Sequence, residues 1–211
     1  MRRLHLENQC LKPHGLFGRF NLRRMNVSHS RVTDWGLSHI TVHPNDTILD
    51  AGCGGGRTIN KLAAMAPAGK VHGIDFSSES VAASKRTNAA FEREGRVEIH
   101  EAPVTQLPFA DDSFDLITAV ETHFWWPDPL AGTVELRRVL KSGGTLVIIA
   151  EIYRGATSRI AQIAEKRLPR AGMKMMTVDE HRELLERAGL SDVQVFTQPD
   201  KGWICVTGRN P

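Results

Sequence analysis

Cysteine is scarce in this chain of 211 residues: Cys10, Cys53 and Cys205 are the only three, and they lie far apart. They form no CxxC pair and no Cys/His grouping at zinc-ligand spacing, so neither a disulfide framework nor a structural metal is expected. Aromatic residues make up only 6% and include a single tyrosine, Tyr153, so any local cluster of rings carries information. No apolar run approaches the roughly 20 residues that span a bilayer. Arg2-Arg3 is followed by His5, Glu7 and Asn8 instead of an apolar signal stretch, and a cytoplasmic protein without a membrane span is the expectation. A strong charge of one sign is also lacking, since the formal net charge is only +3. The basic excess is local: Arg2, Arg3, Lys12, Arg19, Arg23, Arg24 and Arg31 face the single acid Glu7. Such an arm reads first as a solvated segment, and nucleic acid is not the expected partner.

What is present is enough apolar material, 41%, for one sizeable core, and the length argues for a single domain. Strand-like and helix-like patterns alternate after residue 46. Short apolar runs at Thr47–Asp50, Val71–Asp75, Val97–Glu101, Phe114–Ala119 and Thr145–Ala150 predict strands. Asn60–Met65, Ser77–Glu94 and Leu130–Leu140 predict the helices between them. Leu146-Val147-Ile148-Ile149 is apolar without a break, as suits a strand buried on both faces of a parallel sheet. A helix at Val178–Ala188 then precedes two strands, Val193–Phe196 and Trp203–Thr207, whose turn-rich link permits antiparallel pairing. The fold class expected is α/β. Two segments stand outside this series, 1–42 and 153–176, within a chain whose domain occupies 43–211. Parallel sheets bind ligands at the carboxyl ends of their strands, so both segments are expected to cover the site.

The stretch Leu49-Asp50-Ala51-Gly52-Cys53-Gly54-Gly55-Gly56-Arg57 ends a strand in an acid and turns through glycines into a helix. Glycines let the backbone turn sharply and approach a ligand closely. Arg57 occupies the position where a dinucleotide-binding GxGxxG loop needs glycine. Asp50 at its mouth would repel a pyrophosphate but favour a cationic cofactor. Asp75, 19 residues beyond Gly56, suits a carboxylate accepting two ribose hydroxyls, with Phe76 beside it for an adenine face. Cys53 reads as a small residue that fits the turn, not as a nucleophile.

These residues resemble the class I S-adenosylmethionine-dependent methyltransferases, in particular the group of ubiquinone and menaquinone C-methyltransferases (methyltransferase domain 11). LDAGCGGG at 49–56, GIDFS at 73–77, LPFADDSFDLI at 107–117 and RRVLKSGGTLVI at 137–148 match four family motifs in order, over about residues 46–150. The resemblance implies a Rossmann-like, doubly wound, seven-stranded sheet, mostly parallel with an antiparallel last strand. It also implies S-adenosyl-L-methionine as cofactor, S-adenosyl-L-homocysteine as product and a small-molecule methyl acceptor. It carries Asp50, Gly52, Cys53, Gly54 and Gly56 over to the methionine part of the cofactor, and Asp75 and Phe76 to its ribose and adenine. Pro103 and Val104 stand where the family offers an acid and a backbone N–H to the adenine edge. Pro103 has neither, so adenine recognition falls to the Val104 backbone, with Glu101 as a compensating acid.

Val120-Glu121-Thr122-His123-Phe124-Trp125-Trp126 follows the fourth strand, where the family places cofactor and acceptor contacts. Three consecutive rings beside an acid and a histidine suit a lid against a cation or a flat acceptor. Val120 is expected on the cofactor. Where the acceptor must lose a proton, His123 is the first candidate base, Glu121 the second, and Tyr153 or Glu151 could orient the acceptor. His29 is expected to face the cofactor from the N-terminal segment. The competing readings are a nicotinamide oxidoreductase, disfavoured by Asp50 and Arg57, an RNA methyltransferase using the basic arm, and a protein that binds the cofactor without catalysis.

Overall fold

A computed structural model describes residues 30–167, 169 and 172–211. His29, Cys10 and most of the basic arm lie outside these residues. Apolar and β-branched runs form the strands β1 (Thr47–Ala51), β2 (Lys70–Asp75), β3 (Val97–Glu101), β4 (Phe114–Val120), β5 (Leu140–Ala150), β6 (Ser191–Gln198) and β7 (Trp203–Arg209). They build one seven-stranded sheet in the order β3-β2-β1-β4-β5-β7-β6. β1 to β5 pair in parallel, and β7 runs antiparallel to both of its neighbours, as the sequence predicts.

The described helices are α1 (Ser30–Leu37), α2 (Arg57–Met65), α3 (Ser78–Thr87), α4 (Ala89–Arg93), α5 (Pro129–Val139), α6 (Arg159–Arg167) and α7 (Val178–Arg187). Side chains alternate across each strand, so β5 feeds two cores. Leu146 and Ile148 join Leu49, Ile117, Leu136 of α5 and Leu185 of α7 on one face. Val147 and Ile149 join Ile48, Val32 and Leu37 of α1, and Ile59 and Leu62 of α2 on the other. No described helix is long and apolar enough to cross a membrane.

Two differences from the predicted elements have local causes. The helix predicted over Ser77–Glu94 is broken at Asn88, whose side-chain amide donates to the carbonyls of Gly56 at 2.9 Å and Ser84 at 3.0 Å. That amide ties the end of α3 to the glycine turn, and the helix restarts as α4. β5 begins at Leu140 instead of Thr145, because Leu140 pairs with Phe114 across a register irregularity between Phe114 and Leu116.

The turn into α2 depends on Gly56, which caps that helix at φ +80°. A Cβ there would lie 2.4 Å from Ser84 Oγ and 2.8 Å from the Ser84 Cα, so both the conformation and the space require glycine. Gly56→Ala is expected to destabilise the fold by about 1–3 kcal/mol, the range for a strained backbone site. Urea unfolding of the two proteins checks it, and equal midpoints would show that the turn relaxes freely.

Candidate cofactor and acceptor cavity

The carboxyl ends of β1, β2 and β4 open into a cavity of about 360 Å³, within the usual size range of small-molecule sites. Its floor is the glycine turn. The backbone N–H groups of Gly52 and Cys53 both donate to the Ile74 carbonyl at 2.8 Å, fastening the turn to β2. Gly54 N–H donates to Asp75 Oδ2 at 2.9 Å, while Ser77 N–H donates to Asp75 Oδ1 at 2.9 Å. Each carboxylate oxygen thus carries one backbone bond and keeps further acceptor capacity. Asp75 is raised above its ordinary value mainly by burial, with the Ser77 and Gly54 bonds opposing the rise.

Gly52, Cys53, Gly54, Asp75, Phe76, Pro103, Val104, Val120 and Glu121 all line the cavity. Phe76 is 45% exposed, a large apolar face left uncovered at the rim. Cys53 is buried, and its thiol is pushed far up by burial and by the charges of Asp75 and Asp50, which leaves it inert as a nucleophile.

Other sequence candidates are placed elsewhere. Asp50 lies beneath the turn, 2% exposed and off the cavity wall, accepting the Thr118 hydroxyl at 2.7 Å. Burial pushes it up to about 7 against that bond, so it is not the exposed anion the sequence suggests. Gly56 likewise faces Ser84 and Asn88 instead of the cavity. Tyr153 is 5% exposed in the core, away from the wall, and Glu101 at the end of β3 is exposed and also off it.

His123 requires the fullest correction. It is 1% exposed, off the wall, with its Nε2 at 2.9 Å from His181 Nε2. His181 Nδ1 sits 2.7 Å from the Thr177 carbonyl and must donate to it, so the neutral His181 ring accepts at Nε2. His123 therefore donates from Nε2, and its buried Nδ1 has no hydrogen-bond partner among the described residues. Burial lowers both imidazoles well into the neutral form. The pair pins the 3-10 turn His123–Trp125 to α7 and does not reach the reacting centre.

The insertion 153–176 also packs behind that turn. Lys174 N–H donates to the Phe124 carbonyl at 2.8 Å, and no described residue of 153–176 lines the cavity. α1 does reach it through Ser30 and Thr33, and Lys61 of α2 donates to Ser30 Oγ at 3.0 Å, linking the two helices at the rim. The sequence offers no motif for Ser30, Thr33 or Lys61, because their proximity arises only when α1 folds back on α2. Trp125 and Trp126 line the opposite side, whereas Phe124 is buried in the core. Trp126 Nε1 donates to Thr122 Oγ1 at 3.2 Å, and Thr122 abuts Gly52, where a Cβ would come within 2.1 Å of that oxygen.

Glu121 is the unusual acid of the wall. It adopts φ +57°, a left-handed conformation uncommon outside glycine, and its Oε1 accepts the Glu151 N–H. Burial, then the charge of Glu151, push its carboxyl up to about 8. Near neutrality it is therefore protonated, and with Oε1 engaged as an acceptor the proton belongs on Oε2.

Fold and cavity together define an α/β protein with a cavity at the carboxyl ends of β1, β2 and β4. Residues 49–148 match the methyltransferase-domain family. The chain is 40% identical over 116 residues to the ubiquinone/menaquinone biosynthesis C-methyltransferase UbiE of Geotalea daltonii, covering 54% of this chain and 49% of the relative. It is 30% identical over 176 residues to the methyltransferase GfsG of Streptomyces halstedii, covering 80% of this chain and 63% of the relative. The chain thus spans about half to two thirds of these relatives. A solved SAM-dependent methyltransferase from Aquifex aeolicus superposes with TM-score 0.72 at 21% identity, over 92% of this chain and 98% of that one, which shows the shared fold.

The raised Glu121 pKa has a consequence for stability. The folded protein retains a proton that the unfolded chain releases near 4.5. The contribution is therefore full below about pH 4.5 and is lost as the pH rises through about 8. Glu121→Gln is expected to flatten the fall in unfolding free energy across that window, as read from urea titrations at stepped pH. Parallel curves for the two proteins would show that the carboxyl is solvated.

Proposed function

We propose that the chain transfers a methyl group from S-adenosylmethionine to a small-molecule acceptor. The observation that carries the proposal is the doubly anchored Asp75 carboxylate at the edge of a glycine-floored cavity, with Phe76 uncovered beside it. The residues present fit this cofactor. Gly54 has open space on its Cβ side, and the turn brings bare backbone to the cavity. Asp75 would accept the ribose hydroxyls, while Phe76, Pro103 and Val104 would hold the adenine between apolar surfaces. When bound, the cofactor supplies an electrophilic methyl group on a positively charged sulfonium.

The chain's own contribution is alignment and exclusion of water. Val120, Glu121, Trp125 and Trp126 wall the side facing the cofactor, and placing an acceptor there can supply much of the acceleration, up to about 7–11 kcal/mol in favourable cases. A flat or cationic acceptor suits the Trp125 ring. With His123 neutral and tied to His181, Glu121 is the titratable group on the wall best placed to take an acceptor proton. A cation brought beside it would lower its pKa and favour the carboxylate needed for that role. The UbiE relative acts in quinone biosynthesis by its name, which supports a small, planar class of acceptor here. A cytoplasmic location belongs to the same reading, supported by Cys53 and Cys205, both buried free thiols as a reducing compartment maintains them.

Calorimetric titration with S-adenosylmethionine and S-adenosylhomocysteine tests the cofactor site. Binding in the micromolar range, about −8 kcal/mol, is expected. Asp75→Ala should weaken it about 10–100-fold, from the roughly 1.5–3 kcal/mol carried by hydrogen bonds to a charged group. Acceptor-dependent release of S-adenosylhomocysteine then separates an enzyme from a protein that only binds the cofactor. Undiminished affinity in the Asp75 variant would overturn the ribose assignment.

A further inference from the structure

A second cluster of chemistry-bearing side chains lies on the sheet away from the cavity wall. Register pairs His72 of β2 with Glu98 of β3, and His100 follows two residues after Glu98, so all three project from the same face of the sheet. His72 Nδ1 lies 3.7 Å from Glu98 Oε2, and His100 Nε2 lies 3.8 Å from the same oxygen. Both separations are too long for hydrogen bonds. Both nitrogens are nevertheless shielded from solvent and have no hydrogen-bond partner among the described residues. Two orphaned imidazole nitrogens aimed at one carboxylate oxygen need an explanation.

We propose that His72, Glu98 and His100 form a binding site for a divalent transition-metal ion of the zinc type, clamping the edge strand β3 to β2. The three donor atoms already lie within 4.8 Å of one another. Bonds of about 2.0–2.2 Å in tetrahedral geometry place ligands about 3.3–3.6 Å apart, so movements of a few tenths of an ångström close the two nitrogen–oxygen gaps and a somewhat larger one closes the third. Two imidazoles and one carboxylate are the donor set of borderline ions, whereas magnesium and calcium prefer oxygen throughout. The fourth position falls to water, since Glu98 is exposed and His100 half-buried.

The surroundings support the ligands. Glu98 Oε1 accepts Lys70 Nζ, which leaves Oε2 for the ion. Phe109 packs edge-on against both imidazoles, at ring separations of 5.4 Å for His72 and 5.6 Å for His100, and Phe114 packs against His72 at 5.4 Å. These contacts fix the ring planes before any ion arrives. In sequence the cluster hides: the two histidines are separated by 28 positions, and only the alternation Glu98-x-His100 marks one strand face.

An ion that binds the folded chain stabilises it by mass action, so the test needs no activity. Chelator-treated full-length protein is titrated with Zn2+ by calorimetry, and its melting temperature is followed with Zn2+ and with Mg2+. One tight Zn2+ equivalent and a melting temperature raised by Zn2+ but not by Mg2+ are expected. Glu98→Gln and His100→Ala, both at partly exposed positions, are each expected to weaken that equivalent at least about tenfold and to abolish the Zn2+-dependent rise. Circular dichroism checks that both variants are folded. Absence of Zn2+ binding in the parent, or full binding retained in either variant, overturns the three-ligand site. Titration with S-adenosylmethionine in the same variants is expected to be unchanged, which keeps this outcome separate from the cofactor reading.

Discussion

The attachment of the glycine turn to β2 is the constraint from which the cavity follows. Gly52 and Cys53 share the Ile74 carbonyl, and Gly54 holds the Asp75 carboxylate, so backbone donors of one loop set the position of the acid that ends the next strand. Gly52 also meets Thr122, which anchors Trp126. One tight turn therefore positions both sides of the cavity. A side chain at Gly52 would move the cofactor floor and the aromatic wall together, since its Cβ would occupy the space of the Thr122 hydroxyl.

Around that turn the protein keeps its acids protonated more readily than solvent would. Asp50 beneath it and Glu121 on the wall are raised by burial to about 7 and about 8. Among the described residues neither has a basic hydrogen-bond partner: a hydroxyl serves Asp50 and a backbone N–H serves Glu121. Such groups respond strongly to an arriving positive charge, because a neighbouring cation favours the carboxylate that burial disfavours. The electrostatics of the cavity thus suit a cationic cofactor through titration of Glu121, not through a permanent anion at Asp50.

The aromatic turn after β4 is held from behind. His123 pairs with His181 of α7, and Lys174 pairs with the Phe124 carbonyl, so the described part of the insertion buttresses the wall from outside the cavity. A histidine next to a candidate acid looks catalytic in a linear chain. Its neighbour across 58 positions assigns it to support, because an imidazole that is 1% exposed and off the cavity wall has no route to an acceptor.

The sheet, its parallel character and the glycine turn were legible because they rest on local rules: apolar runs of strand length, glycines where the backbone must turn, and an acid at the end of β2. Four ordered motifs extended this to the family resemblance and the cofactor it implies. Tertiary structure alone decided which nearby residues face the cavity. Asp50 and Gly56 point away from it although they flank the turn, and Ser30, Thr33 and Lys61 reach it from distant positions. The same holds for the pairing of His123 with His181 and the convergence of His72, Glu98 and His100. Side-chain direction at a turn and strand register are set by packing across the sheet, and neither is written in the spacing of residues along the chain.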